Sequence, residues 1–323
     1  MVVHTLPDLT TADPAFPVDA QIYEFREAED PDIPHINNLL FSEYGENYPY
    51  PLSTFQPGGI YLVGCHRETG KIIGFAKAVP YKGHASVYEF GGLIVDGPHR
   101  TRHVAKQLTR NRMETIKQLG GAAVVSEPVC YRRDCASQAN LIVHGFVLVG
   151  IQFVKYPDIQ LDLLGSQAES VLMAVRWMRD TAHLGDRRVF LPYGYRGVLY
   201  SYLPRSLYER GWEQMFPDVE MPASVHHTGH QGTKTRGAEF VDVPGNWREA
   251  EARIVALHRD GFRFGCILPG FGTLAQGRVF DYVRMYRPSE GMKIDFKLVH
   301  VVPEISRLKA FCQADYQGEI QVR

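Results

Sequence analysis

A chain of 323 residues, 45% hydrophobic and 22% charged, is long enough for two domains with separate cores. A formal net charge of −1 excludes a global bias toward nucleic acid or membrane, so any anion site must come from local clusters of Lys and Arg. No apolar run approaches the ~20 residues of a spanning helix, and five cysteines without a C-x-x-C pair argue for a reducing, cytoplasmic setting. The first residues lack a basic segment followed by an apolar run, so no secretory leader is expected there.

The opening twenty residues, with Pro7, Pro14 and Pro17, read as an extended arm. Ile22 to Arg26 alternates as a strand. Asp30 to Tyr44 reads as a helix capped by Asp30, with Pro31 in its first turn and Ile33, Ile36, Leu39 and Leu40 on one face. An aromatic segment follows (Tyr44, Tyr48, Tyr50, Phe55). Ile60 to His66 and Lys71 to Pro80 flank Glu-Thr-Gly and predict a hairpin. Ser86 to Asp96 is the next strand, Arg100 to Leu119 a helix closed by Gly120 and Gly121. Strand Ala122 to Pro128, helix Arg133 to His144 and strand Phe146 to Lys155 complete the first half.

The second half ends in the same grammar: strand Ala238 to Val243, helix Asn246 to Asp260, strands Phe262 to Leu268 and Arg278 to Tyr286. In both Leu-Ile-Val-His-Gly-Phe and Leu-His-Arg-Asp-Gly-Phe a helix stops on Gly and a Phe opens a strand, which suggests a degenerate internal duplication. The expected units are 20–165 and 166–323, the boundary lying within Gln160 to Leu191. A polar loop, Pro217 to Gly237, holds His226, His227 and His230. No carboxylate or thiol stands at ligand spacing, so a surface cluster is expected and no metal. Tyr193-Gly194-Tyr195-Arg196-Gly197 reads as a turn, with a decayed phosphate loop as the competing reading.

Val87 to Gly150 carries the most information. The strand Val-Tyr-Glu-Phe-Gly-Gly-Leu-Ile-Val-Asp feeds through a Pro-x-Arg turn into a helix, which suits the turn to a phosphate. Between Gly97 and Met113 stand Arg100, Arg102, Lys106, Arg110 and Arg112 and no acidic residue. Over about Ile22 to Lys155 the chain resembles the GCN5-related N-acetyltransferases (GNAT). The resemblance implies an α/β fold with a mixed sheet in the first half and a degenerate copy in the second. The family loop Arg/Gln-x-x-Gly-x-Gly/Ala here reads Arg100-Thr101-Arg102-His103-Val104-Ala105, with His103 where glycine is usual. A Cβ there restricts close approach to a pyrophosphate.

The resemblance implies that Leu93, Ile94 and Val95 meet the pantetheine amides, and that the loop from Arg100 through Lys106 holds the pyrophosphate of acetyl-CoA or another acyl-CoA. Glu89 occupies the family's general-base position, beside a bulge expected at Gly91 and Gly92. Its alternative role is an edge carboxylate that points to solvent or pairs with a lysine. The family's acid tyrosine would fall at Leu141. Tyr131 and His144 are the nearest replacements, with packing at the start of the helix and a dipole contact as their other roles. Glu127 and Gln138 are placed at the acceptor pocket, where Glu127 alternatively caps the next helix. Cys130 and Cys135 read as small apolar residues. The expected reaction is acyl transfer from acyl-CoA to an amine of a small molecule, with the acceptor cleft between the halves. Aminoacyl-tRNA as donor and a non-catalytic acyl-CoA- or nucleotide-binding module are the alternatives.

Overall fold

The computed structural model describes residues 17–81, 84–156, 168–178, 189–199, 220–228, 238–273 and 279–322. In chain order its elements are β1 (Tyr23–Glu27), α1 (Ile33–Tyr44), β2 (Ile60–His66), β3 (Ile72–Tyr81), β4 (His84–Val95), α2 (Val104–Gln118), β5 (Ala123–Ser126), α3 (Ala136–Val143), β6 (Val147–Tyr156), β7 (Glu169–Trp177), α4 (Tyr193–Leu199), β8 (Val225–Thr228), β9 (Glu239–Pro244), α5 (Glu249–Arg259), β10 (Arg263–Thr273), β11 (Val279–Arg287) and α6 (Ser306–Tyr316). Two compact units divide the chain: one runs to Glu127 and takes in Ala139–Phe146 and Val175–Arg179, and the other comprises the remainder.

In the first unit β1 to β4 form an antiparallel run, and β5 joins β4 in parallel, with Val87 opposite Ala123 and Phe90 opposite Ser126. The strand alternation sorts side chains onto two faces. On one face Ile36, Leu39 and Leu40 of α1 pack with Tyr61, Val63, Phe75 and Ile94, and Tyr44, Tyr48, Leu52 and Phe55 extend this cluster. On the other, Gly74 lets α2 approach: a Cβ there would stand 3.0 Å from Val104 and 3.1 Å from Leu108. The helix expected from Asp30 instead begins with a short 3-10 turn, Asp30–Asp32. Asp32 is the anchor. Its carboxylate accepts from both terminal nitrogens of Arg26 at 2.6 and 2.9 Å and from the Glu29 amide at 2.9 Å, which holds its pKa below the ordinary aspartate range.

In the second unit the strands lie in the order β7-β6-β10-β11-β9-β8. Cys266 of β10 pairs with Gly150 of β6, so close that a Cβ on Gly150 would meet that of Cys266 at 2.1 Å. Only glycine fits there. His226 and His227 belong to β8, opposite Val241 and Phe240, so part of the expected polar loop is a strand; His230 lies outside the described residues.

The two Gly-Phe helix endings share one geometry. Gly145 and Gly261 have φ of 75° and 88°, and the Phe146 and Phe262 amides reach back to the carbonyls of Leu141 and Leu257 at 3.1 and 3.0 Å. That is the Schellman pattern, which closes the last turn with a left-handed residue.

A fully buried carboxylate ties the second unit together. Asp315 of α6 accepts from the Tyr195 hydroxyl (3.1 Å), the Phe264 amide (2.9 Å) and His258 (3.1 Å). Replacing it leaves donors in three other elements unpaired, those of Tyr195 and Phe264 buried and each worth about 1–3 kcal/mol. Asp315→Ala is therefore expected to lower stability by about 3 kcal/mol or more, read as a drop in the urea midpoint. A loss under about 0.5 kcal/mol would contradict this role.

Candidate active site

The site grows out of one irregularity in β4. Pairing with β3 runs Val79 to Glu89, Ala78 to Phe90 and Lys77 to Gly91, then slips, so that the next pair is Phe75 with Ile94. Gly92 takes a φ of 60° there, and a Cβ on it would lie 2.9 Å from the Phe75 ring. Glycine is thus required twice over, by conformation and by space. The β4–β5 pairing ends at Phe90 and Ser126, immediately before the bulge. Beyond it Leu93, Ile94 and Val95 keep β3 on one edge and have no β5 partner on the other among the described pairings. The strands part as a wedge.

Arg112 of α2 holds the bulge from beneath. Its guanidinium donates to the carbonyls of Lys77 (2.8 Å) and Gly91 (3.4 Å) and to the Thr109 hydroxyl (3.1 Å), and lies 3.8 Å over the Phe90 ring. Burial pushes its pKa down to about 9, so it stays charged at neutral pH. This corrects the expectation that it belongs to a phosphate-facing basic run.

After Val95 comes the loop. Asp96 is held by Lys71 at 2.7 Å, Gly97–His99 form a 3-10 turn, and Nδ1 of His99 meets the Tyr23 hydroxyl at 2.9 Å. Burial lowers the His99 pKa against the raising influence of Asp96. Arg100 folds back, Nε to the Val95 carbonyl at 2.9 Å and Nη2 to Glu43 at 2.5 Å. Thr101 and Arg102 are exposed. His103 caps α2 in the left-handed region, φ 62° and ψ 8°. The histidine therefore takes the backbone shape that favours glycine, at a cost of roughly 1–2 kcal/mol. The first intrahelical bond of α2 runs from the Gln107 amide to His103 O at 3.0 Å, leaving the amides of Val104 and Ala105 ahead of it at the positive end of the helix. Lys106 is half-buried in the same turn.

Glu89 lies half-buried on β4, on the face of α1 and the aromatic segment. Glu127 is half-buried directly after β5, on the other jaw of the wedge. His144 is buried in the first unit. Its Nδ1 contacts the Asn140 carbonyl at 2.7 Å, a further backbone contact is to Lys106, and burial lowers its pKa. Both contacts are to main chain, so the ring is a strut between α3 and α2. Tyr131 is buried in the second unit.

Gln138 does not fit the expected acceptor role. Fully buried in the second unit, it donates to the carbonyls of Val129 (3.0 Å) and His300 (2.9 Å) and accepts from the Val302 amide (3.0 Å). Both its N–H donors and one acceptor site are taken by backbone, so its role is to tie these segments together. Cys130 and Cys135 are buried free thiols whose pKa values burial raises.

Lys77, absent from the sequence reading, lies half-buried beside the wedge. Its stem crosses the glycine pair, Cε standing 3.2 Å from where a Cβ of Gly91 would be. Burial lowers its pKa and the charge of Glu89 opposes that shift. A single charge inside the apolar run Ile-Ile-Gly-Phe-Ala-Lys-Ala-Val was the available signal.

The loop has an echo in the second unit. Arg196 donates from Nε to the Leu191 carbonyl at 2.6 Å, five residues back, and from Nη2 to Glu251 at 2.8 Å, as Arg100 does to Val95 and Glu43. The Tyr195 amide reaches Pro192 O and the His99 amide reaches Asp96 O, both at 2.9 Å. In this alignment Gly97 corresponds to the exposed Tyr193, and Pro98 to Gly194, where a Cβ would lie 2.2 Å from the Gln321 carbonyl. The segment expected as a turn is the helix α4.

Residues 21–130 match the family model of the Acetyltransferase (GNAT) family. This segment, with its mixed sheet, belongs to the GCN5-related N-acetyltransferase superfamily. Among solved structures, the chain is similar to the ribosomal-protein-S18-alanine N-acetyltransferase from Escherichia coli at 14% identity (49% of this chain, 94% of that one, TM-score 0.39). It is likewise similar to a GCN5-related N-acetyltransferase from Kribbella flavida at 18% (49% and 98%, TM-score 0.40). A third is yncA, a putative acetyltransferase from Salmonella typhimurium with its cofactor acetyl-CoA, at 13% (50% and 96%, TM-score 0.39). No curated protein sequence matches the chain.

The strain at His103 is testable without a ligand. Valine, β-branched, tolerates a positive φ far worse than glycine does. His103→Val should therefore be less stable than His103→Gly by about 1–2 kcal/mol, compared by urea midpoints. Equal midpoints would mean that the left-handed turn is absent.

Proposed function

We propose that the chain transfers an acyl group from an acyl-CoA thioester to an amine on a small molecule, with the first unit carrying the chemistry. The observation that carries this reading is the β4–β5 pairing that stops at Phe90 and Ser126, directly before the bulge, with the loop and the α2 amides following at once. The open edges of Leu93 to Val95 suit the pantetheine amides. The Val104 and Ala105 amides, the αL turn at His103 and the cations of Arg102 and Lys106 suit a pyrophosphate. Arg100 contributes through Thr101 and the turn it braces, since its own guanidinium is paired with Glu43.

Glu89 acts as the base. It takes one proton from the acceptor ammonium, and the nitrogen lone pair attacks the thioester carbonyl. The C–N bond forms, the C–S bond breaks, and the second nitrogen proton leaves with the thiolate as free thiol. His144, spent on main chain, has no part in this, and neither Tyr131 nor Gln138 is required. Glu127 is the remaining candidate for the acceptor side. The second half is a degenerate copy, and the matched arginine braces and helix endings support that reading.

Native mass spectrometry of the purified chain with acetyl-CoA and, separately, with charged tRNA tests the donor. Retention of acetyl-CoA is expected; retention of tRNA alone replaces the donor, and retention of neither leaves a non-catalytic module. With turnover established, Glu89→Gln should lower kcat by about 10²-fold or more while the Kd for acetyl-CoA stays within about 2-fold. An unchanged kcat removes Glu89 from the base role.

A further inference from the structure

Lys77 and Glu89 carry opposite charges on one face of neighbouring strands. Lys77 stands opposite Gly91 and Glu89 opposite Val79, so the two are diagonal neighbours across the β3–β4 ladder. Lys77 is half-buried, yet among the described residues its ammonium has no hydrogen bond and no ion pair within salt-bridge distance. An ammonium in that position is costly unless something satisfies it. The glycine pair beneath its stem leaves space that any side chain at Gly91 would take. Its same-face neighbours on β3, Phe75 and Val79, pack in the cluster of Tyr44, Tyr48, Leu52 and Phe55. Tyr44 and Tyr48 stack at 4.7 Å, and Phe55 leans on Tyr61 at 4.6 Å.

We infer that the acceptor is an α-amino acid with an apolar or aromatic side chain: Lys77 receives its carboxylate, Glu89 its ammonium, and the aromatic segment its side chain. The inference rests on the acyltransferase reading and gives it a substrate class. Lys77 is then a specificity residue, and Glu89 keeps its role as base. The two charges mirror those of a free amino acid, so an amine without a carboxylate leaves Lys77 unanswered. A charge-assisted contact of this kind is worth about 1.5–3 kcal/mol, which is about 10-fold or more in binding.

The test uses the full chain with acetyl-CoA and follows release of free thiol. Phenylalanine, leucine and methionine are each compared with their decarboxylated amines. The expected result is a kcat/KM at least about 10-fold higher for the amino acid, expressed mainly in KM. In Lys77→Met this preference collapses toward unity, and in Lys77→Arg part of it returns; thermal midpoints of both variants establish that they fold. A wild-type preference for the decarboxylated amines overturns the inference, as does a Lys77→Met variant that loses both substrates in equal proportion. An acetyl group found on Lys77 itself also overturns it. If acetyl-CoA is bound but no amino acid outperforms its amine, this inference fails alone. If acetyl-CoA is not bound, the reading beneath it fails.

Discussion

A guanidinium without a carboxylate partner sits at the base of the candidate site, and the wedge above it depends on what that cation bonds. Arg112 is fully buried, and burial alone sets its lowered pKa. A fall from the ordinary arginine value to about 9 disfavours the charged form by on the order of 5 kcal/mol. The cation persists because it meets acceptors: the carbonyls of Lys77 and Gly91, the Thr109 hydroxyl and the face of Phe90. A bulge disrupts the ladder on both strands, and carbonyls left buried without donors cost about 1–3 kcal/mol each. Arg112 supplies those donors on the two strands at once. With the slip satisfied, Gly92 can hold its positive φ and β4 can leave β5 after Phe90.

The same economy governs the loop. Of the five cations between Gly97 and Met113, Arg112 turns into the sheet and Arg100 is held by Glu43 and the Val95 carbonyl. Arg102, Lys106 and Arg110 remain at or near the surface. The cationic run is therefore partly structural. Arg196 repeats the Arg100 brace at α4. An arginine of this pattern has a structural role of its own, apart from any ligand.

Elements with local signals were legible from the residues alone. The Glu-Thr-Gly hairpin signal located β2 from Ile60 to His66, and the Gly-Phe pairs located both helix terminations. The Glu-Phe-Gly-Gly run located the bulge. What escaped had non-local causes. Gln138 is polar and next to the expected pocket, but its partners at His300 and Val302 lie 162 and 164 residues away. No window of sequence reveals that. Asp315 likewise gathers donors from elements more than 50 residues off. The strand β7 and the helix α6 were not anticipated. The start of α2 shifted from Arg100 to Val104 because His103 adopts a left-handed turn, which its residue type disfavours and its surroundings impose.

Two cations at one bulge show how a structural charge differs from a chemical one. Arg112 and Lys77 are separated by a single strand: the guanidinium bonds the Lys77 carbonyl from one face of the sheet, and the Lys77 side chain lies on the face of the aromatic segment. Arginine suits the first place, because its planar fork reaches several fixed carbonyls and it resists deprotonation. Lysine suits the second, because a flexible stem and a compact ammonium can follow a guest, and because its pKa responds to burial. Folding alone would favour an apolar residue at position 77, flanked as it is by Phe75 and Val79 in an otherwise buried run. A half-buried ammonium beside a carboxylate has only the charge of Glu89 to oppose the cost of its burial. In the proposed reading, the carboxylate of the acceptor offsets the remainder.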